Sequence, residues 1–485
     1  MATPRFAALV FLLALFAGRA SPSAAQAGDS ALAVRPCDIP GVGGARCGTF
    51  RVWENRRARS GRTIDLNFVV LPGTGTARAT EAVAVFAGGP GQAATDFVGG
   101  DAATLAGARE GRDLLWVDGR GTGRSAPLPC EISKPGDPQS YLVEFFTVDG
   151  VRRCAETLAA RADLARYTNA DAADDLEELR AALGYERLDL YGVSYGTRTA
   201  LVYLRRHPER VRAVLMHGSV PTDLRYPLTA ARDARLAVDG VFADCARDPG
   251  CRAAFPDPAG DLRESLRRLD AGPAEAAIVS PFTGELATVR LSRERFGEAL
   301  RYMAYSPNAA ALIPVVVHHA ARGDFGPAAE QALYWRMGLV GGSSRGLYLA
   351  VTCPEDVDLF DLAEAEREAR GTWLGDWRAR DQKAACAAWP HEPAGPGFAE
   401  PVRSTVPVLV MNGAMDPATA SYHAERMLRG FPNGRMILIP SAGHATFGLL
   451  EVEPCYSTIV STFIRTADAR GVDASCIERV RRLPF

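Results

Sequence analysis

Ser194 stands in Gly192-Val193-Ser194-Tyr195-Gly196, between a short apolar run, Leu188–Tyr191, and a helical pattern, Tyr195–Arg206. Glycines around a serine at a strand-to-helix turn let the chain fold back sharply and leave the hydroxyl clear of its neighbours, the geometry of an exposed nucleophile. A serine hydroxyl is a weak nucleophile near neutral pH, so it needs a base, and the base needs a group to orient it. Of the seven histidines, His444 lies in Ser441-Ala442-Gly443-His444, directly after the strand pattern Met436–Ile439. Loops at the carboxyl ends of sheet strands are where α/β sites assemble. His207 reads as a helix cap, adjacent His318 and His319 as surface or packing residues, and His217 as a turn residue bordering the site. Asp416 ends the loop that follows the run Val406–Met411 and precedes Pro417. It can orient His444, cap the next helix, or do both.

The chemistry implied is acyl transfer, in which an oxyanion must be held by preorganised N–H donors. Tyr195, after the nucleophile, supplies one backbone donor; Gly88 and Gly89, in Gly88-Gly89-Pro90-Gly91, are placed to supply the other. That loop lacks the Lys-Ser/Thr of a phosphate loop, and Asp118 to Ser125 lacks the dinucleotide-binding glycine pattern. It reads as a tight turn after a strand. No paired Cys-x-x-Cys or Cys/His spacing suggests zinc, and no metal or organic cofactor is expected.

Elements able to position these residues follow from the pattern. Thr49–Glu54 and Thr63–Leu71 read as an antiparallel pair. Ala82–Ala87, Asp113–Val117, Leu188–Tyr191 and Val211–Met216 are short, continuously apolar runs, as expected of parallel strands buried on both faces. Helical stretches, including Ala170–Leu183, alternate with them, which implies an α/β fold with a mostly parallel central sheet. From 221 to 400 the pattern is mainly helical, with Leu262–Leu269, Glu294–Met303 and Ala309–Ala321 and no buried-strand run. Strands return at Val406–Met411 and Met436–Ile439, before a last helix near Pro454–Arg465. The expected division is a core of 28–220 and 401–485, split by a helical cap at 221–400.

In 485 residues, 55 basic and 57 acidic side chains leave a net charge of −2. Such a balance argues against nucleic acid or an anionic membrane as the main partner. Residues 1–27 carry Arg5, the apolar run Phe6–Ala17 and Ala25-Gln26-Ala27, a signal-peptide pattern too short to span a bilayer. Secretion or periplasmic export without a stable membrane anchor is expected. Export makes disulfides the default for the ten cysteines. They fall as neighbours, Cys37/Cys47, Cys130/Cys154, Cys245/Cys251, Cys353/Cys386 and Cys455/Cys476, although the count alone permits many connectivities.

Taken together, Gly-Gly-Pro-Gly at 88–91, Asp-x-Arg-Gly-x-Gly-Arg-Ser at 118–125, Gly-x-Ser-Tyr-Gly at 192–196, Asp416 and Gly443-His444 resemble the proline iminopeptidase/tripeptidyl aminopeptidase family of α/β-hydrolases, most nearly its secreted tripeptidyl aminopeptidase-like branch. The resemblance implies a serine exopeptidase that releases residues from peptide N-termini under a helical cap, with Ser194, Asp416 and His444 as the triad. Ala87 stands where proline iminopeptidases carry His, and Gly119 where Gln is usual, so strict proline specificity is not implied. An exopeptidase must hold a free α-ammonium, which calls for carboxylates. Glu355 and Asp356, next to Cys353, are the candidates; a solvated acidic turn is the alternative. Tyr334, Trp335 and Trp373 either line an apolar pocket or belong to a core. Peptides are the expected substrates. Small acyl esters, cleaved as by an esterase or lipase, are the alternative, since triad geometry does not separate them.

Overall fold

The computed structural model describes residues 32–485 apart from 76–78, 132 and 145. The leader expected at 1–27 lies outside the described residues. Its central sheet grows from strands whose alternate side chains enter two different cores. β1 (Val34–Pro36), β2 (Arg46–Trp53), β3 (Thr63–Leu71), β4 (Glu81–Phe86), β5 (Asp113–Val117), β6 (Arg187–Val193) and β7 (Val211–His217) come first. A separate hairpin, β8 (Ala274–Val279) with β9 (Leu286–Leu291), follows, and β10 (Val408–Gly413) and β11 (Gly434–Ile439) complete the sheet. The nine-stranded order is β1-β2-β3-β5-β4-β6-β7-β10-β11. The pairs β1–β2, β2–β3 and β3–β5 are antiparallel and the rest parallel.

Val83, Val85, Trp116, Leu215, Leu409 and Met411 point into one core with Ile459, Val460 and Phe463 of helix Val452–Thr466. Ala82, Ala84, Leu190, Val214, Val408 and Val410 point into the other, against helices Asn169–Leu183 and Gly196–Arg206. Cover on both faces is why these strands are continuously apolar in sequence.

β7 and β10 pair side by side although residues 218–407 separate them. Within that stretch, helices Ala230–Arg247, Pro258–Asp270, Arg293–Met303, Ile313–Ala321 and Gly326–Gly341 share a core of Val238, Leu266, Phe296, Leu300 and Val317. Ile278 and Val289 of the hairpin join it. The hairpin is a departure from the expectation of a mainly helical stretch without a buried-strand run. Its strands bury one face only, through Ala276, Ile278, Val289 and Leu291, and alanines on a half-buried face give a faint period-two signal. The expected helix Ala309–Ala321 is broken into Pro307–Ala310 and Ile313–Ala321, with Pro314 in the first turn of the second. Helices Arg345–Glu355 and Trp377–Ala387 instead pack with Val52, Ile64 and Leu66 of the sheet edge and with Leu128, Val151 and Leu158.

Five disulfides join the neighbouring cysteines: Cys37–Cys47, Cys130–Cys154, Cys245–Cys251, Cys353–Cys386 and Cys455–Cys476. Cys353–Cys386 and Cys130–Cys154 lie in the same apolar cluster. Among the described residues no helix is long and apolar enough to cross a membrane.

Candidate active site

β6 ends at Val193 and helix Gly196–Arg206 starts three residues later. Between them Ser194 has φ +55°, a left-handed conformation that is uncommon for a residue with a Cβ. Backbone bonds hold it there. Ser194 N donates to His217 O at 2.7 Å, and Ser194 O accepts from Thr197 N and from Thr197 Oγ1 at 3.0 and 2.6 Å. The flanking glycines are required by contact: a Cβ on Gly196 would lie 2.2 Å from Phe86 O, and one on Gly192 2.7 Å from Thr197 Cα. Gly196→Ala is therefore expected to lower stability by about 2–3 kcal/mol, because backbone must move to admit the methyl group. Denaturant midpoints of the two proteins test this; an unchanged midpoint would show the turn to be looser than drawn.

The 88–91 loop leans over the serine. A Cβ on Gly88 would stand 3.0 Å from Ser194 Cβ, so only glycine lets this backbone come so close. The loop is held from residues 343–344: Ser344 N donates to Gly91 O at 2.9 Å and Ser343 Oγ to Pro90 O at 2.8 Å. The Asp118–Ser125 turn is structural. Asp118 accepts from Asn67, Thr95 and the Arg124 N–H, while buried Arg120 grips Asp175 through two 2.7 Å bonds.

His444 Nδ1 lies 2.8 Å from Asp416 Oδ2. Asp416 Oδ1 accepts from the N–H groups of Ala418 and Thr419, both at 2.8 Å, and Oδ2 from Thr419 Oγ1 at 2.6 Å. Burial by itself would raise the Asp416 pKa; the imidazole beside it and the Thr419 donors reverse this and hold the carboxyl well below its usual range. An ionised carboxylate at Nδ1 fixes the proton on that nitrogen and leaves Nε2 as an acceptor.

His217, which the sequence placed only at the border of the site, links the two halves. Its carbonyl receives Ser194 N, and its Nε2 lies 3.0 Å from His444 O, with Nδ1 3.0 Å from Tyr456 OH. Burial, then the neighbouring His444 imidazole, pushes its pKa down, and Nε2, facing a carbonyl oxygen, is the donor. Gly218, next in the chain, sits against the His444 ring, where a Cβ would be 3.0 Å from Cε1. On the other side Tyr305 packs edge-on at 5.0 Å from the imidazole centroid, and its carbonyl accepts Ala445 N at 2.7 Å. Among the described residues no hydrogen bond joins Ser194 Oγ to His444. Such bonds are commonly long in resting sites and tighten with substrate.

The two acidic candidates have different surroundings. Asp356, 1% exposed, is paired with fully buried Arg198 at 2.7 Å and also accepts Tyr226 N at 2.9 Å. Glu355, 2% exposed, accepts from Asn169 N at 2.9 Å and from Asn169 Nδ2, and lies 3.4 Å from Tyr195 OH. Burial pushes its pKa up to about 7, against the pull of the Asn169 donors and Arg198. Trp335 stacks on Tyr302 and tilts against Tyr305 at centroid distances of 6.5 and 6.2 Å. Tyr334 is 69% exposed, and Trp373 packs on Gly297. Neither Thr419 nor Tyr305 was singled out from the sequence. Only Thr419 had a local signal, an Asp-x-x-Thr spacing of the kind that closes a capped turn. Among the described residues no group of three or more His, Cys, Asp or Glu could hold a metal ion.

Residues 88–296 match the family model for the alpha/beta hydrolase fold, and residues 374–476 match that for TAP-like protein. The chain is 27% identical to serine protease Hip1 of Mycobacterium tuberculosis over 90% of this chain and 88% of that protein. It is 26% identical to the tripeptidyl aminopeptidase of Streptomyces lividans over 89% of this chain and 83% of that one. A shorter match, 34% identical over 17% of this chain and 25% of the other, is to proline iminopeptidase of Xylella fastidiosa.

Proposed function

We propose, from the premise that the chain belongs to the proline iminopeptidase/tripeptidyl aminopeptidase family of α/β-hydrolases and is a serine hydrolase, that it is an exported aminopeptidase acting through Ser194, His444 and Asp416. The observation that carries the reading is the conjunction of a serine at φ +55° on a strand–helix turn with a 2.8 Å His444–Asp416 pair, the two joined through His217. Ser194 Oγ attacks the scissile carbonyl carbon as His444 Nε2 takes its proton, and the tetrahedral oxyanion is held by backbone N–H groups of Tyr195 and of Gly88 or Gly89. His444 then gives the proton to the leaving amine. Water, activated by the same imidazole, releases the acyl group.

Residues 221–400 serve as the cap in this reading. Support comes from the contacts this segment makes with the site: Ser343 and Ser344 on the 88–91 loop, and Tyr305 on His444. Export is supported by the five disulfides. Glu355 serves as the α-ammonium anchor, since Asp356 already neutralises Arg198.

The test compares peptide amides with free and acetylated N-termini against simple acyl esters. Preference for free amines is expected; indifference to acetylation, with faster ester cleavage, would establish the esterase reading instead. A pH dependence follows from Glu355. A carboxyl with its pKa raised to about 7 is neutral below that pH and cannot bind an ammonium ion. KM for free-amine peptides should therefore fall by up to about 10-fold per unit as pH rises from 5 to 7 and flatten above 7. Acetylated peptides report the remaining titrations, and Glu355→Gln should abolish the difference between the two series.

Thr419→Val is expected to lower kcat about 10-fold with little change in KM. It deletes one charge-assisted bond to Asp416 while keeping side-chain volume. Steady-state kinetics at the pH optimum measure the split; a pure KM effect would remove Thr419 from the proton-transfer apparatus.

A further inference from the structure

We propose that Arg301 is a recognition site for a substrate carboxylate, set one side chain away from His444. The proposal rests on the catalytic reading of Ser194 and His444. Arg301 lies near the end of helix Arg293–Met303 and is 0% exposed. Its one hydrogen bond among the described residues runs from Nη2 to Tyr305 OH at 3.2 Å. Nε and Nη1 are buried and make none. The rings of Tyr226, Tyr302 and Tyr305 surround its guanidinium carbon at 5.9, 5.3 and 5.4 Å.

Aromatic faces soften the cost of a buried cation but do not neutralise it. The carboxylate one turn earlier on the same helix, Glu298, is already committed, its Oε2 to Arg295 at 2.5 Å and its Oε1 to Arg378 at 2.8 Å. Arg336 adds further positive charge to the same neighbourhood. A guanidinium cannot shed its proton to escape burial, and the Glu298 charge it feels is shared with Arg295, Arg378 and Arg336, so that carboxylate offsets the burial of Arg301 only in part. Two unpartnered donors add to that cost. Donors on Arg301 remain without an acceptor, and a planar carboxylate is the group that accepts two guanidinium N–H bonds in parallel.

The position makes that anion a part of the substrate. Tyr305 holds Arg301 through its hydroxyl and packs its ring against His444, and Trp335 with Tyr302 forms an adjoining aromatic wall. Because the guanidinium is closed to solvent in this state, an entering carboxylate takes the place of the Tyr305 hydroxyl on Nη2, and the ring moves aside with substrate binding. Two parts of a peptide present this chemistry near a scissile bond: an acidic side chain on the acyl residue, and the free carboxyl terminus of a short leaving peptide.

The test measures kcat/KM ratios on matched pairs, using purified full-length enzyme. One arm compares Glu with Gln, and Asp with Asn, as the acyl residue before a common amide leaving group. The other compares short peptides with free and amidated C-termini. A carboxylate preference of about 10-fold or more in one arm is expected, and that arm identifies the source. In Arg301→Met the ratio should fall to near 1, whatever the absolute rate; Arg301→Lys, which keeps the charge without the planar fork, should retain part of it. Absence of preference in both arms, or a preference that survives in Arg301→Met, overturns the proposal. Thermal unfolding and labelling by a fluorophosphonate show whether each variant is folded with a reactive serine. Should Arg301→Met not fold, the wild-type ratios and Arg301→Lys decide alone. If wild-type protein neither turns over the panel nor labels at Ser194, the catalytic reading itself has failed and the proposal goes with it. Turnover without carboxylate preference leaves that reading intact and removes Arg301 from it.

Discussion

Replacing Ser194 by alanine is expected to lower kcat by about 10⁶-fold while leaving the fold unchanged. Both halves of that expectation come from the same geometry. The interactions that hold residue 194 in its left-handed conformation are made by its backbone N–H and carbonyl, to His217 and Thr197. Alanine keeps all of them and has a Cβ no larger than that of serine. The 88–91 loop likewise touches the Cβ rather than the hydroxyl. What disappears is the hydroxyl oxygen proposed to form the acyl-enzyme. The residual rate then comes from the oxyanion donors and substrate positioning alone. Steady-state assays, with mass spectrometry of fluorophosphonate-treated protein, measure the loss, and near-identical unfolding temperatures establish the control. A variant within 100-fold of wild type would end the serine mechanism proposed here.

The features legible in the sequence are those whose physics is local. Gly192 and Gly196 flank Ser194 because a Cβ at either would strike neighbouring backbone, and such a requirement is written within five residues. The sheet strands were legible because cover on both faces makes them uniformly apolar, as Val408–Met411 shows. Cysteine neighbours pair because the joining segments are short. Features that depend on packing between distant segments left no such mark. Glu355 and Asp356 are adjacent acids, indistinguishable in sequence, yet Asp356 meets Arg198 of the helix behind Ser194 while Glu355 meets Asn169. His217 reads as a turn residue until its ring is found against the His444 carbonyl and its own carbonyl on Ser194 N. The β8–β9 hairpin was missed because its buried alanines and its exposed Leu286 blur the alternation. Arg301 gave no sign among 55 basic residues; what distinguishes it is the company of Tyr226, from a distant part of the chain.

Asp416→Asn should cost about 10⁴-fold in kcat, for a reason the hydrogen bonds around it make specific. Oδ1 accepts two backbone N–H groups, from Ala418 and Thr419. An asparagine must therefore keep its carbonyl oxygen at that position and turn its NH₂ toward the place Oδ2 occupies, beside His444 Nδ1. The imidazole then has to accept at Nδ1 and carry its proton on Nε2, the nitrogen that should receive the proton of Ser194. The NH₂ also faces Thr419 Oγ1, which loses its acceptor. KM should change little, since Asp416 is buried and its oxygens are taken up by His444, Ala418 and Thr419. Stability carries an independent signature. The Asp416 carboxyl is held below its usual pKa, so its ionised form stabilises the folded state above the unfolded carboxylate pKa of about 4, and that contribution is lost as pH falls from there toward the folded value. The variant should consequently unfold at a lower temperature than wild type at pH 7, and the gap should narrow progressively below about pH 4. Unfolding temperatures of both proteins across that range measure it. A gap that stays constant with pH would mean that Asp416 contributes shape rather than charge, and the tautomer argument for its catalytic effect would have to be abandoned with it.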